Sequence, residues 1–451
     1  MARRILGAVA LGAAAVLTLT AARVAVGPAQ PPRLAASVAS AGLPAGAPVG
    51  PAGPVLPPLE DSGSAVPASV DEALSGPLSS PALGGSVGAV VVDVATGRTV
   101  FERDTSTPRS TASTQKILSA LAVLDALGPE QRITTTVTWD PASSTLTLVG
   151  AGDPSLSSVA AEGSSLAALA DQVVEQVEAG PVTLAYDTSL FDGPVLGPGW
   201  PEDYPALGIA APVTALVVDR ARLPGSEQRE ENPAAVAAAA FAAQLVDRGY
   251  DVSVADDRPA TGQVIASTES VPLAIIVEQM LTDSDNDAAE MLAHLAGAAL
   301  TGKGSFASGS QAIVATVSGL GIDTTGMVAV DGSGLSYQDV VPARLLADVL
   351  DLLSGPDAPA WAWPVLPGLA VAGFTGTLDD RFRSPETFAG AGAVRAKTGT
   401  LSGISTLAGT VVDADGQLFA FAFMSDGADD IFAAREALDQ AAAALAECGC
   451  G

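Results

Sequence analysis

The order of apolar and polar residues predicts a β-hairpin near each end of the folded part of this chain. Apolar residues dominate 87–94, and a second short strand follows at 98–102 after a glycine turn. Toward the other end, 407–412 and 419–424 flank an Asp-Gly turn, and 431–445 has the period of an amphipathic helix. Two hairpins, each beside a helix, predict one antiparallel sheet built from both termini with helices packed on it.

Between the hairpins, the pattern predicts a buried helix and then a separate block. The helix that begins at Ser113 is apolar on nearly every side as far as Leu127, which is typical of a central helix. From about residue 131, alternating positions and turn residues predict an inserted domain. Its predicted elements are strands at 133–139, 145–149 and 182–186 and a helix at 165–179. A helix at 233–249, begun by proline and ended by glycine, then resumes the main fold.

The N-terminal residues have the order of a secretory signal, with two arginines, an apolar run and then small residues. The run is short for a membrane-spanning helix, but residues 21–26 extend it, so an uncleaved anchor through residues 5–26 remains an alternative. Either interpretation places the rest of the chain outside the cytoplasm. In an oxidising compartment Cys448 and Cys450 can form a tight disulfide ring, to which we assign no catalytic role.

The composition excludes several classes of function. Of 451 residues, 50 are acidic and 21 are Lys or Arg, which gives a formal charge of −29. A charge of this sign repels phosphate backbones, so no nucleic-acid partner is expected. The single histidine, His294, lies in an apolar helical stretch and is expected in the core or at its boundary. One histidine and two cysteines cannot supply the usual zinc ligand sets, and no metal or cofactor is expected.

Lysine is rare in this chain, and its positions single out two motifs. The lysines are Lys116, Lys303 and Lys397, and the other long basic side chains are all arginine. Arginine stays protonated whereas lysine can give up its proton, so a lysine kept among arginines points to that chemistry. Lys116 ends the sequence Ser113-Thr-Gln-Lys116, and Lys397 begins Lys397-Thr-Gly-Thr400.

A third motif, Ser284-Asp-Asn286, lies between these two in sequence. Alone it also fits a loop or a helix cap. The order Ser-x-x-Lys, Ser-x-Asn, Lys-Thr-Gly is that of penicillin-binding proteins and serine β-lactamases. Residues three apart lie on one face of a helix, so Lys116 can reach the Ser113 hydroxyl and take its proton. Burial and a second ammonium at Lys397 are expected to lower the pKa of Lys116 from about 10.4 toward 7 or 8.

From about residue 70 to its end, the chain resembles the class C low-molecular-mass penicillin-binding proteins, which are D-alanyl-D-alanine carboxypeptidases or endopeptidases of the cell wall. Beyond the three motifs, the resemblance rests on Gly152-Asp-Pro-Ser-Leu156, Ser189–Pro194 with Gly199-Trp200, Ser284–Glu290, Asp331–Ser336, Gly376–Arg381 and Lys397–Gly403. It implies an α+β fold of the serine β-lactamase and penicillin-binding-protein (transpeptidase) type. In this fold an antiparallel sheet is flanked by helices, with an all-helical subdomain and, here, one inserted domain.

The inserted part departs from the family pattern. Family members usually have a long insertion, often two domains, between the first two motifs, but the spacing from Lys116 to Ser284 leaves room for one. The second domain is therefore expected to be reduced or missing. The expected segments are 1–26 (signal peptide or anchor), 27–68 (disordered linker), 69–130 (catalytic domain, first part), 131–231 (inserted domain) and 232–451 (catalytic domain, second part).

The resemblance also implies roles for individual residues. Ser113 would form the acyl-enzyme, Lys116 would be its base, and Ser284 would relay a proton to the leaving D-Ala. The backbone N–H groups of Ser113 and Thr400 would form the oxyanion hole. The implied substrate-binding residues are Asn286 for the amide and Lys397, Thr398, Gly399 and Thr400 for the terminal carboxylate. Peptidoglycan peptides and β-lactams are the implied ligands, and the implied location is extracytoplasmic.

Two other functions remain as alternatives. A serine β-lactamase-like hydrolase uses an added carboxylate for deacylation, such as a Glu-x-x-Leu-Asn loop, and this sequence has no such stretch. A non-catalytic peptidoglycan-binding envelope protein is disfavoured because all the chemical residues are present. The Asp331-Gly-Ser-Gly334 loop is either a plain turn or part of the cleft. Gly152-Asp-Pro154 and Gly199-Trp200 are expected to stabilise the insert rather than touch substrate.

Overall fold

The computed structural model of the protein describes residues 65–451. Its strands are β1 (Ser86–Asp93), β2 (Arg98–Arg103), β3 (Pro108–Ser110), β4 (Thr134–Asp140), β5 (Thr145–Val149), β6 (Pro181–Asp187), β7 (Asp251–Asp257), β8 (Gln263–Glu269), β9 (Val340–Pro342), β10 (Ala370–Val371), β11 (Val394–Leu401), β12 (Ile404–Val412) and β13 (Leu418–Asp426). Its α-helices are α1 (Pro67–Ser75), α2 (Gln115–Leu127), α3 (Leu166–Gln176), α4 (Pro233–Val246), α5 (Leu273–Asp283), α6 (Asn286–Thr301), α7 (Phe306–Gly319), α8 (Ala343–Ser354), α9 (Val365–Gly368) and α10 (Ile431–Glu447). The predicted signal or anchor lies outside the described residues.

The main sheet confirms the prediction of one antiparallel sheet built from both ends of the folded chain. Its strand order is β10-β11-β12-β13-β1-β2, and every neighbouring pair is antiparallel. The short strand β10 lies outside β11, the strand of the Lys-Thr-Gly motif. Since β10 pairs only with Arg395 and Ala396, the outer side of β11 from Lys397 onward has no strand partner among the described residues.

Alternation along the strands divides the sheet into two buried faces. On β13, Phe419, Phe421 and Phe423 face one core, which α1 and α10 cover. The intervening Ala420 and Ala422 face the other core, which contains α2, α5, α6, α7 and α8. The small alanines let α8 pack closely on the sheet, and the phenylalanines fill the space beneath α10. Both faces are therefore covered, as the predicted α+β fold requires.

The central helix lies where the sequence predicted a buried one, but it begins two residues later. α2 starts at Gln115, and a 3₁₀ turn over 112–114 contains Ser113. Every residue of α2 from Gln115 to Leu124 is buried. It packs against α5, α6 and α7, which form the helical part of the fold. No side-chain cap bond is made at its N-cap residue, Thr114, so capping does not account for the polar residues at this position.

The inserted part is a second sheet, and it continues further along the chain than the predicted end at residue 231. Its strand order is β7-β6-β5-β4-β8, with α3 and α4 on it. Phe241 of α4 and Ala266 of β8 belong to the same apolar core as β4, β5 and β6. The sheet therefore spans 134–269. β7 and β8 consist mostly of exposed residues, so their sequence pattern did not indicate that they belong to this sheet.

The two ends of the described chain are joined. The N–H of Val66 donates to the carbonyl of Cys450 at 2.7 Å, and Cys448 and Cys450 form a disulfide. The folded part thus begins slightly before the predicted linker end at residue 68, with α1 starting at Pro67. Within residues 65–451, none of the helices has the length and apolarity needed to cross a membrane.

Candidate active site

The three motifs meet around the side chain of Lys116. Its Nζ donates hydrogen bonds to Ser113 Oγ at 3.1 Å and to Asn286 Oδ1 at 2.7 Å. A third bond, of 2.8 Å, goes to the backbone carbonyl of Ser333. All three donors of the ammonium are therefore used. Once Lys116 is neutral, the same contact lets the Ser113 hydroxyl donate to Nζ, which is the geometry that proton transfer needs.

Ser113 is positioned by a short turn fixed against the main sheet. Ala112, the residue before it, has a φ of +42°, an uncommon conformation for a residue with a side chain. The Thr111 carbonyl accepts a hydrogen bond of 3.0 Å from the hydroxyl of Thr406 on β12. This bond ties the turn at 112–114 to the sheet, where Ser113 stays partly exposed.

Gly399 is explained by the close approach of this turn to β11. A Cβ at Gly399 would lie 2.8 Å from the Thr111 carbonyl oxygen and 3.0 Å from Ala112 Cβ, and it would overlap the Thr406 hydroxyl. These distances are shorter than ordinary van der Waals contact. Gly399 of the Lys-Thr-Gly motif therefore allows the Ser113 turn to pack directly against β11.

Replacing Gly399 with alanine is expected to lower the rate of Ser113 acylation by a β-lactam about 10²-fold. The added methyl group pushes the Ser113 turn away from β11, and misplacement of a reacting group by about 1 Å has an effect of this size. Gly180→Ala is the matched control, because a Cβ there meets nothing within 4 Å. Equal acylation rates for the two variants would contradict this explanation of Gly399.

Ser284 lies at the junction where α5 ends and α6 begins. It is in the left-handed region, with φ +59° and ψ +40°, which is costly for a residue other than glycine. Asp285, and not Ser284, caps α6, because its carboxylate accepts from the N–H of Ala288 at 3.0 Å. Ser284 is left free of the capping role, and it lines the same cavity as Ser113.

Asn286 is oriented by the chain that follows β6. Its Nδ2 donates to the Ile209 carbonyl at 2.8 Å, so its Oδ1 is directed at Lys116. The next residue, Asp287, accepts from Arg229 Nε and Nη2, each at 2.9 Å, and both side chains of this pair are about 95% buried. The Ser-x-Asn motif is therefore anchored to the segment of the insert between β6 and α4.

Burial controls the proton affinity of both buried lysines. It lowers the pKa of Lys116 to about 8, although the nearby carboxylates of Glu290 and Asp331 raise it. The sequence predicted repulsion from Lys397 as a second cause. In the structure this repulsion lowers the pKa of Lys397 instead. Burial is the main cause of that shift, and the charges of Lys116 and Arg381 add to it, so the pKa of Lys397 lies well below its usual value. Lys116 can therefore lose its proton close to neutral pH.

The Asp331–Ser336 loop is part of the site and not a plain turn. Glu290 is buried and accepts from two successive N–H groups of the loop at 2.9 and 2.7 Å. Asp331 accepts from two further N–H groups of the loop at 2.6 and 2.8 Å. These bonds fix the backbone so that the Ser333 carbonyl faces Lys116. The loop thus supplies one of the three acceptors that position the lysine.

The rate of Ser113 acylation is expected to rise about tenfold per pH unit up to pH 8 and then to level off. Lys116 accepts the serine proton only when neutral, and its pKa is about 8, so the neutral fraction grows until that pH. Burial and Asp331 also raise the pKa of Glu290 to about 8. Glu290→Gln is therefore the control: an inflection that belongs to Lys116 persists in it but moves to lower pH, because the Glu290 carboxylate raises the pKa of Lys116. A flat profile from pH 6 to 8 would contradict the base assignment.

A cavity of about 490 Å³ opens onto these groups. Its lining includes Ser113, Ser284, Thr377, Asp380, Arg381, Thr398, Thr400, Phe432, Arg435, Glu436 and Asp439. Lys397 is completely buried and does not line it. A larger cavity of about 760 Å³ lies beside α4, but none of the predicted site residues lines it. The smaller cavity is the candidate active site because Ser113, the predicted nucleophile, lines it.

Two other predicted features have structural positions. His294 is buried and its Nδ1 donates to the Glu290 carbonyl at 2.8 Å. Its ring packs against Phe191 and Phe306, in agreement with a core histidine. Trp200 does more than stabilise the insert, because its Nε1 donates to Asp331 at 2.8 Å. It therefore links the insert to the loop that faces Lys116.

Sequence patterns missed some residues of this site. Glu290 is an acidic residue in a mostly apolar helical stretch, and this contrast was the sign in the sequence that it has a role. Arg381 ends the Gly376–Arg381 segment of the family resemblance, but no role was predicted for it, and Arg435 comes from a distant segment with no recognisable motif. In the described part of the chain, no cluster of three or more His, Cys, Asp or Glu is arranged to hold a metal ion.

Comparisons with known proteins agree with this geometry. The sequence model of the D-Ala-D-Ala carboxypeptidase 3 (S13) family matches residues 70–232 and 224–448. The chain is 35% identical to a carboxypeptidase of Mycobacterium tuberculosis, over 88% of this chain and 87% of that protein. It is 34% identical to the carboxypeptidase DacB of Mycolicibacterium smegmatis, over 84% of each. The fold is similar to penicillin binding protein 4 of Haemophilus influenzae, with a TM-score of 0.69, 22% identity, and coverage of 84% of this chain and 98% of that one.

Proposed function

We propose that this chain, which belongs to the D-Ala-D-Ala carboxypeptidase 3 (S13) family, removes the terminal D-Ala from peptidoglycan stem peptides through an acyl-enzyme on Ser113. The observation that supports this most directly is the 3.1 Å contact between Ser113 Oγ and the buried Nζ of Lys116. A serine and a lysine with a lowered pKa form a nucleophile and its base.

In the first step, Ser113 Oγ attacks the carbonyl carbon of the penultimate D-Ala. Its proton passes to the neutral amine of Lys116, 3.1 Å away. The tetrahedral intermediate then collapses and the C–N bond to the terminal D-Ala breaks. The leaving nitrogen must gain one proton, and Ser284, on the same cavity, is the group that relays it from Lys116. Lys116 is neutral again when the step ends.

In the second step, water attacks the ester carbon of the acyl-enzyme. Lys116 takes one proton from that water and returns it to Ser113 Oγ as the ester bond breaks. The products are the shortened peptide and free enzyme. Asn286, fixed between Lys116 and the Ile209 carbonyl, presents an amide beside the reacting groups throughout. Thr398 and Thr400 provide hydroxyls for the substrate carboxylate.

The place of action follows from the substrate, since a family that acts on peptidoglycan works outside the cytoplasm. We propose that the N-terminal 26 residues export the chain. Retention as a membrane anchor through residues 5–26 is the alternative, and N-terminal sequencing of the mature protein distinguishes the two.

Release of D-Ala from a stem peptide ending in D-Ala-D-Ala tests the proposed function. The wild-type protein is expected to release one D-Ala per peptide, and Ser113→Ala is expected to release none. Ser110→Ala, in the same stretch, is the matched control and should retain activity if its fold is intact. A cross-linked dimer of stem peptides, assayed beside it, distinguishes carboxypeptidase from endopeptidase activity. D-Ala release by the Ser113→Ala variant would contradict the proposal.

A further inference from the structure

Arg435, on α10, is an arginine in the active-site cavity that forms no direct ion pair with a carboxylate of the described residues. Its Nε and Nη2 donate to Thr400 Oγ1 at 3.2 and 3.0 Å. Within the described residues it has no ion-pair partner. Such a position is unusual in a chain with 50 acidic residues and 21 Lys or Arg. An unpaired guanidinium at the wall of a cavity is a binding group for an anion.

The other cations near the cavity are not available to an anionic ligand. Lys397 is completely buried, and its Nζ donates to the Thr398 carbonyl at 2.9 Å. Arg381 is neutralised by Asp439, through two bonds of 2.9 and 2.6 Å. Of the two arginines that line this cavity, Arg435 is therefore the one without a directly paired carboxylate among the described residues.

The carboxylates of Asp439 and Asp380 act on Arg435 at longer range, but neither forms an ion pair with it in the described residues. Asp439 is paired with Arg381. Asp380 and Glu436 are exposed to solvent, where their charges are screened, and Glu436 accepts from the Ser384 hydroxyl at 3.1 Å.

Arg435 also determines which way the Thr400 hydroxyl points. A hydroxyl has two acceptor positions and one donor. The two bonds from Arg435 occupy the acceptor side of Thr400 Oγ1, so its hydrogen must point elsewhere, and Thr400 lines the cavity. The ring of Phe432, 5.6 Å from the Arg435 Cζ, helps to hold the guanidinium in place.

We infer that Arg435 is a specificity-determining residue that binds the free carboxylate of the substrate and orients Thr400 as a second donor to it. The role rests on the proposed function, because it assumes that the acyl donor carries a carboxylate beside the bond that Ser113 attacks. The rate at which a ligand without that carboxylate acylates Ser113 should not depend on Arg435.

The test compares benzylpenicillin with its methyl ester, which lacks the negative charge. The acylation rate of the full-length protein is measured for both by intact-protein mass. In Arg435→Gln the rate with the acid is expected to fall about 10- to 100-fold, the range for loss of a bidentate charge-assisted contact, while the rate with the ester stays within about threefold. The rate of Arg435→Lys with the acid should lie between those of the wild type and Arg435→Gln, because lysine keeps the charge but loses the paired donors.

The matched control is Arg383→Gln, which removes the same charge from an exposed arginine that does not line the cavity. The ratio of its acylation rate with the acid to its rate with the ester should equal that of the wild type. An equal loss for acid and ester in Arg435→Gln, or no loss for either, would overturn the inference. The readout is acylation and not peptide cleavage, so a protein that shows the expected ratios but releases no D-Ala contradicts the proposed function alone. A wild-type protein that takes no acyl group would overturn both.

Discussion

Replacing Lys116 with arginine is expected to lower the rate of Ser113 acylation about 10²- to 10⁴-fold, nearly as much as replacing it with alanine. A general base contributes a factor of this size, and arginine cannot release its proton near neutral pH. Arginine retains the positive charge and hydrogen-bond donors, so the variant separates the base function from the structural function of the cation. The measurement is the rate of covalent labelling by a fluorescent penicillin.

Lys303→Arg provides the control for this substitution. Lys303 is exposed and far from the motifs in sequence, so its rate of labelling should match that of the wild type. Thermal unfolding of both variants reports whether the larger arginine side chain disturbs the core around α2. Rapid labelling of a folded Lys116→Arg variant would eliminate Lys116 as the base, and the proton of Ser113 would need another acceptor.

Replacing Arg229 with methionine is expected to lower the free energy of unfolding by about 3–5 kcal/mol, the usual effect of leaving one charge of a buried pair unpaired. Burial already raises the pKa of Asp287, and Arg229 counteracts that rise, so without Arg229 the pKa of Asp287 rises further. Denaturant unfolding measures the loss. Labelling of Ser113 should also slow, because Asp287 adjoins Asn286, which is bonded to Lys116.

Arg222→Met is the matched control, because Arg222 forms an exposed ion pair with Glu227. The side chains of that pair are 41% and 73% exposed, and such pairs contribute at most about 1 kcal/mol. The double variant Arg229→Met with Asp287→Asn should recover part of the stability, since no buried charge remains. Equal losses for Arg229→Met and Arg222→Met would show that the buried pair does not anchor the Ser-x-Asn motif.

The sequence pattern was sufficient for the main sheet and for the helix of the Ser-x-x-Lys motif. Strands such as β13 are buried on both faces and flanked by turn residues, and α2 is apolar all round, so local pattern and burial agree. The pattern failed at the end of the insert. β7 and β8 are mostly exposed, and their place in the sheet is decided by pairing. β7 pairs with β6, and β8 pairs with β4, which is far from it in the sequence.

The reacting residues could be proposed from the sequence because their spacing is short. Ser113 and Lys116 are one turn apart, and Thr398 to Thr400 share a strand with Lys397. Glu290, Arg229 and Arg435 were not found, because each acts through a contact between segments far apart in the chain. Such contacts follow from tertiary packing, for which a single sequence gives no local signal.

The most direct test of the central claim is to locate the acyl group after a short incubation with penicillin, by peptide mapping and mass spectrometry. The proposed mechanism predicts one penicilloyl group on the peptide that contains Ser113, attached to that serine, and none in Ser113→Ala. An adduct on Ser110, Ser119 or Ser284 of the folded wild-type protein, or no adduct at all, would contradict it.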